Sequence, residues 1–254
     1  MLFLLPPSET KREGGSCAPL DFSALSFPSL ERQRRSLATA VVRLARDADA
    51  SMHALKIGER LRFEVDRNRA LKTSPTLPAL QRYTGVAFDP IGADDMTQEQ
   101  TAWAGEHLAI HSALFGVVGA LDPIPAYRLS HDSRLPSLVE KGVSLRSVWA
   151  RPVARALASR GRPIVDLRSE SYTELGPAPE GSAYVRVVSD DGGRRRALNH
   201  FNKKTKGTLV RMLLRSRPEV DSVRDFVDWA GGEGIVVEQA GDELVVVSES
   251  VLDE

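Results

Sequence analysis

The 254-residue sequence contains a single cysteine, Cys17. One thiol excludes an intrachain disulfide and any zinc site built from several cysteines. Aromatic residues make up only 6% of the chain, too few for the stacked platform that usually holds single-stranded nucleic acid. No apolar run approaches the ~20 residues needed to cross a bilayer. Residues 1–5 are apolar, but Pro6-Pro7 ends them and no basic region precedes them, so they do not read as a signal peptide. The cytoplasm is the expected compartment. Also absent are Gly-x-Gly-x-x-Gly, the Walker phosphate loop, His-Glu-x-x-His and Gly-x-Ser-x-Gly, the short patterns of nucleotide, metalloprotease and serine-hydrolase chemistry. The five histidines are scattered. His107 and His111 stand four apart, but the apolar residues between them read as packing, so no metal and no cofactor is expected.

The most informative shortage is of acid. Residues 192–218 hold nine Lys/Arg and no Asp or Glu: Arg194, Arg195, Arg196, Lys203, Lys204, Lys206, Arg211, Arg215 and Arg217. Residues 141–165 are a second acid-free stretch, with Lys141, Arg146, Arg151, Arg155, Arg160 and Arg162. The whole chain is formally neutral, with 34 bases against 34 acids. The balance lies in residues 219–254, which hold eleven acids against one base, Arg224. Stretches of one sign project a field that attracts polyanions, above all nucleic acid.

With 42% hydrophobic and 27% charged residues, the composition is that of a folded domain with a substantial core. Residues 2–5 read as a short buried strand and residues 30–47 as a helix with Leu30, Leu37, Val41 and Leu44 on one side. Thr97-Gln98-Glu99-Gln100 has the capping-box spacing and predicts a helix to about His107. Residues 108–118 read as a buried strand with an adjoining turn. Ser144 predicts a cap for a helix over 145–159, in which Pro152 is either tolerated or makes a kink. Residues 164–167 form another short strand. Asp190-Asp191-Gly192-Gly193 reads as a hairpin turn, residues 202–216 and 218–229 as helices, and residues 235–247 as a terminal hairpin. Strands and helices mix without regular alternation. The reading is an α+β or mixed α/β fold, one domain over residues 1–254.

On a helical wheel, Lys204, Arg211 and Arg215 lie within about 40° of one another, while Leu209, Met212 and Leu213 occupy the opposite arc. This pattern describes a helix docked on the core with guanidinium groups held towards solvent, where their planar forks suit phosphate.

Several segments resemble the YaaA family of bacterial peroxide-stress proteins. They are Leu4-Leu5-Pro6-Pro7-Ser8-Glu9-Thr10-Lys11, Ala54-Leu55-Lys56-Ile57, Tyr83-Thr84-Gly85, His111-Ser112-Ala113-Leu114-Phe115-Gly116-Val117-Val118 and Leu121-Asp122-Pro123-Ile124-Pro125-Ala126-Tyr127-Arg128-Leu129. Asp166-Leu167-Arg168-Ser169-Glu170-Ser171-Tyr172 and Phe201-Asn202-Lys203-Lys204-Thr205-Lys206-Gly207 complete the set. The resemblance implies a mixed α/β fold with a positively charged cleft, a DNA-binding helix-hairpin-helix element, and a role in limiting iron-linked oxidative damage. The element maps onto residues 202–229, with Arg217-Pro218 in the hairpin, or onto residues 141–157. Neither has the Gly-x-Gly turn common in such motifs. Ser8-Glu9-Thr10 replaces the commoner Pro-Ala-Lys arrangement, so Lys11 is an inexact equivalent of the family lysine.

Two functions follow as expectations. The first is a non-catalytic, cytoplasmic, monomeric protein of the peroxide-stress response that grips the backbone of double-stranded DNA or other nucleic acid, with no membrane involvement. Its anion-binding candidates are Lys11, Lys56, Arg128, Lys203, Lys204, Lys206, Arg211 and Arg215. The second is an enzyme acting on a nucleotide or nucleic-acid base in a pocket around Tyr127, Arg128, Asp166 and Tyr172, joined by Ser8, Tyr83 and Ser169. Asp166 or Glu170 would then serve as general base. The bland alternative makes Tyr127, Arg128 and Asp166 a buried ion-pair and hydrogen-bond network.

Overall fold

Leu2–Leu5, apolar throughout and buried on both faces, is the central strand β1 of an eight-stranded mixed sheet. In the computed structural model, residues 1–135, 143–191, 194–196 and 199–252 are described, the side chains of 143, 190–191, 194–196 and 199–201 excepted. Strand β2 (Leu108–Ser112) runs parallel to β1 on one side, with Phe3 opposite Leu108. Strand β4 (Ile164–Asp166) runs parallel on the other, with Leu2 opposite Ile164. A continuous apolar run suits a strand covered on both faces.

Strand β3 (Gly116–Gly119) pairs antiparallel with β2. Where the sequence reads residues 108–118 as one strand and a turn, the chain makes a hairpin, reversing through Gly116 at φ 65. Strand β5 (Ala183–Asp191) continues the parallel order beyond β4, and β6 (Arg194–Arg196) folds back on it antiparallel. The terminal hairpin of β7 (Val237–Ala240) and β8 (Glu243–Val247) turns at Gly241 and adds β8 parallel to β5. The order is β7-β8-β5-β4-β1-β2-β3.

Helix α1 (Glu31–Leu44) buries Leu37, Ala38, Ala40 and Val41. Helix α2 (Phe63–Arg69) packs against it. Helix α3 (Gln98–His107) begins with the capping box read from Thr97 and Gln100. Helix α4 (Leu145–Ala158) is capped by Ser144 and continues through Pro152. Helices α5 (Asn199–Ser216) and α6 (Val223–Gly232) follow β6. The Phe3 ring lies 5.8 Å from that of Trp103 in α3 and 5.7 Å from that of Phe226 in α6, which anchors both helices to β1. A single hydrophobic cluster runs from Met1 to Val251. The fold is mixed α/β, as read from the sequence.

The connection leaving β1 leads to β2, and the one leaving β4 leads to β5 on the opposite side of the sheet. Loops that depart in opposite directions from neighbouring parallel strands open a crevice at the strands' carboxyl ends, where open α/β sheets place their ligands. The loops beginning at Pro6 and Leu167 leave the sheet at that end.

Candidate functional site

The loop after β1 is clamped along its length. Lys11 forms an isolated antiparallel bridge with Tyr83. The Thr84 N–H donates to Thr10 O at 3.2 Å, and the Thr10 hydroxyl to Thr84 O at 2.9 Å. Buried Arg82 fixes the same region from beneath, donating to Ile124 O at 3.0 Å and Gly14 O at 2.8 Å, and also to Arg12 O. Lys11 is thereby turned inward and is only 6% exposed. Its Nζ donates to the carbonyls of Ser8 (3.0 Å) and Glu9 (3.2 Å) and lies 4.2 Å from the centre of the Tyr127 ring. Burial pushes its pKa down to about 7.

Ser112, at the end of β2, begins a chain of hydroxyls: its Oγ lies 2.7 Å from the Tyr127 oxygen, which lies 2.7 Å from that of Tyr83. Ser112 Oγ also accepts the N–H groups of Leu114 (3.1 Å) and Phe115 (2.9 Å). Burial raises the Tyr127 pKa to about 12 and moves Tyr83 and Tyr172 in the same direction.

Beside this chain, fully buried Arg168 spreads its guanidinium over five acceptors. Asp166 takes Nε (2.8 Å) and one terminal nitrogen (2.6 Å), while the other reaches His111 Nδ1 (2.7 Å), Gly176 O (2.8 Å) and Tyr172 O (3.3 Å). Because Arg168 can only donate, His111 Nδ1 must accept, which places the imidazole proton on Nε2. That atom is buried without a partner among the described residues. Burial and the Arg168 charge hold the His111 pKa well below its ordinary value.

The predicted site residues divide into groups. Lys11, Tyr83 and Tyr127 converge, and Tyr172 approaches the cluster through His111, 5.7 Å from it ring to ring. Asp166 does not face this cluster. Both its oxygens are taken by Arg168, and it borders a different, open cavity of about 710 Å³ with Arg146, Glu174, Ser182 and Tyr184. It is a positioning group rather than a free base. The ion pair of Arg128 with Asp166 that the bland alternative offers is not made: Arg128 meets Glu9 at 2.7 Å. Glu170 is exposed and pairs with Arg186 at 3.4 Å. Ser169 is exposed beside Ser171, Ser8 lies beside Thr10, and exposed Lys56 pairs with Asp132.

Helix α5 presents Lys203, Lys204, Arg211 and Arg215 to solvent and buries Leu209, Val210, Met212 and Leu213, as the wheel predicts. Lys206 departs from this face. It is 6% exposed, donates to Arg168 O at 3.2 Å and lies 5.2 Å from the centre of the Tyr184 ring. Burial lowers its pKa to about 8. The side chains of Arg194, Arg195 and Arg196, and all of Lys141, fall outside the described residues.

The second acid-free stretch is less uncompensated than its sequence, because folding brings Glu174 within 3.5 Å of Arg146 and Glu106 within 3.3 Å of Arg162. Residues 143–157 contain a short strand and one helix, so no helix pair forms over the 141–157 mapping. Helices α5 and α6 are consecutive, but the start of α6 is already occupied. Asp225 accepts the N–H groups of Asp221 (3.1 Å) and Ser222 (2.9 Å), and Glu219 and Asp221 are exposed beside it. A carboxylate already placed at a helix start, with two more beside it, disfavours a second anion there.

Comparison with known proteins agrees with the motifs. A family model described as "Peroxide stress protein YaaA" matches residues 1–233. The chain belongs to the YaaA peroxide-stress family. A UPF0246 protein of Corynebacterium glutamicum is 42% identical over 240 residues, 94% of this chain and 95% of its own length. One from Corynebacterium efficiens is 44% identical over 239 residues, with 94% and 95% covered. One from Streptomyces coelicolor is 35% identical over 245 residues, with 94% and 92% covered. In this member of the YaaA family, the quoted motifs supply the buried cluster: Lys11, Tyr83, Ser112 and Tyr127 each come from a different one, and Arg168 and Tyr172 share another. His111, Ser112 and Arg168 were not among the predicted site residues. Their signal was the motif itself, since a serine or arginine within an apolar run carries no other mark. Among the described residues no helix is long and apolar enough to cross a membrane.

Proposed function

We propose that this YaaA-family protein serves the peroxide-stress response by gripping the nucleic-acid backbone, double-stranded DNA foremost, through the exposed face of α5. One observation carries this reading. On α5, Lys203, Lys204, Arg211 and Arg215 are all exposed, and among the described residues none has a carboxylate within 4.0 Å. Surface cations on folded proteins usually sit among acids. A cluster held apart from them keeps its field for an external anion. Occupied phosphates release condensed cations, which makes such binding salt-dependent. The buried cluster around Lys11 takes no part in this contact, and Asp166, engaged by Arg168, does not support base catalysis.

Titrating labelled duplex DNA at several salt concentrations tests the proposal. With four phosphates neutralised, log K falls against log salt with a slope of about −3.6. Replacing Lys204, Arg211 and Arg215 together by Ala flattens that slope by roughly two to three, about one for each phosphate left without its cation. A folded triple mutant with the wild-type slope rules out the α5 face, and no binding even at low salt rules out the reading altogether.

A further inference from the structure

We propose that Lys11 is the reactive amine of a second, buried site, one that takes a small aldehyde or ketone and holds it as an imine. The inference is independent of the nucleic-acid reading and begins from a missing partner. Lysine is almost never buried to this degree without a carboxylate, yet among the described residues none lies within 4.0 Å of Lys11 Nζ; Glu64 and Glu9 favour its charge only from a greater distance, and burial outweighs them. Two backbone carbonyls, of Ser8 and Glu9, receive its N–H groups instead. A neutral amine has only two N–H bonds, so both are committed and the lone pair takes a remaining tetrahedral direction. Its pKa of about 7 makes the neutral form abundant at neutral pH.

The hydroxyl chain supplies a directed proton donor. Ser112 Oγ uses both lone pairs on the N–H groups of Leu114 and Phe115, so its own proton points to Tyr127. The Tyr127 proton then points to Tyr83. The Tyr83 proton has no acceptor left among the described residues. The backbone bridge between Lys11 and Tyr83 holds donor and amine together, with Nζ 5.3 Å from the Tyr83 ring centre. Both phenols are protonated at neutral pH, as any tyrosine is, and burial raises their pKa values further.

The step balances without a redox partner. The Nζ lone pair forms a bond to the carbonyl carbon as the carbon–oxygen π bond breaks. Tyr83 protonates the oxygen and is reprotonated at the expense of the added nitrogen, giving a carbinolamine. The second nitrogen proton goes by the same route to the hydroxyl, which leaves as water while the C=N bond forms. Among the described residues the other lysines lack this environment, and exposed Lys72 donates to the Thr39 hydroxyl. Lys56 is ion-paired, Lys203 and Lys204 are exposed, and buried Lys206 meets one carbonyl and no hydroxyl chain.

The test treats the full chain, without DNA, with propionaldehyde and cyanoborohydride at pH 7 and reads each lysine by peptide mass. The proposal expects Lys11 to be alkylated at least about tenfold faster than Lys56, Lys72 and Lys203. Tyr83→Phe should slow Lys11 about tenfold while surface lysines react as before, with circular dichroism checking the fold. Lys11 reacting no faster than surface lysines in the wild-type protein overturns the proposal, and this needs no variant. Unchanged Lys11 labelling in folded Tyr83→Phe overturns the assignment of the proton donor. DNA binding by the same preparation reports on α5 alone, so either reading can fail while the other stands.

Discussion

Three buried arginines show how single side chains hold the loops of this molecule. Arg34 donates to Phe115 O (2.8 Å), Val117 O (2.7 Å) and Ser26 O (2.7 Å); Arg82 and Arg168 do the same for the loops after β1 and β4. Irregular segments have no ladder to satisfy their carbonyls, and a guanidinium with five N–H groups supplies several at once. The buried lysines act differently, because they titrate. Lys11 and Lys206 have pKa values of about 7 and 8 against an ordinary 10.5, with burial the main cause. The folded chain therefore releases these protons at lower pH than the unfolded chain. Between about pH 7 and 10.5 the unfolded state holds more protons, and stability rises with pH. Each group contributes a slope of up to about 1.4 kcal/mol per pH unit. Urea denaturation should show greater stability at pH 9 than at pH 7, and Lys11→Met should flatten that rise. His111 acts at the other end: kept neutral by folding, it lets the unfolded state take up a proton below about pH 6.5, so stability falls there.

At the scale of elements, α5 joins the exposed basic face to the interior. Its contacts with the turn at Asp89–Ile91 depend on Gly207, where an added Cβ would lie 2.3 Å from Ala87 O. Replacing a helical glycine by alanine ordinarily gains about 1 kcal/mol. Here the contact with rigid backbone outweighs that gain. Gly207→Ala should destabilise by roughly 1–3 kcal/mol in urea denaturation, and a neutral or stabilising result would mean that the turn moves freely away from α5. The junction of α5 and α6 is a helix pair in sequence order, but Asp225 fills the start of the second helix. On the nucleic-acid reading proposed above, phosphate contact is therefore left to the exposed face of α5.

At the scale of the molecule, charge segregation and a continuous core pull in different directions. The acid-rich end of the chain is built into the sheet through β7 and β8, where Glu243 pairs with Arg186 at 2.9 Å. Since one hydrophobic cluster reaches from Met1 to Val251, urea should unfold the protein in one transition, with tryptophan fluorescence and far-ultraviolet circular dichroism giving the same midpoint. Two separated midpoints would reveal independent units.

Local physics was legible from the residues alone. The capping box at Thr97, the Ser144 cap, the buried strand at Leu2–Leu5 and the two-sided pattern of α5 depend on neighbours within a few positions, and each appears where the sequence places it. The mixed α/β class and the exposure of Lys204, Arg211 and Arg215 were legible for the same reason. Contacts between distant segments were not. Lys206 stands beside exposed lysines in sequence, yet the packing of α5 against Arg168 and Tyr184 buries it. Asp166 meets Arg168 rather than Arg128, and Glu174 and Glu106 reach back to a stretch that contains no acid of its own. The Ser112–Tyr127–Tyr83 chain joins residues up to 44 positions apart. Residue types and spacing determine which faces are apolar and where helices begin. Only the meeting of loops at the carboxyl ends of β1, β2 and β4 decides which polar groups lose water together, and hence which lysine becomes an amine.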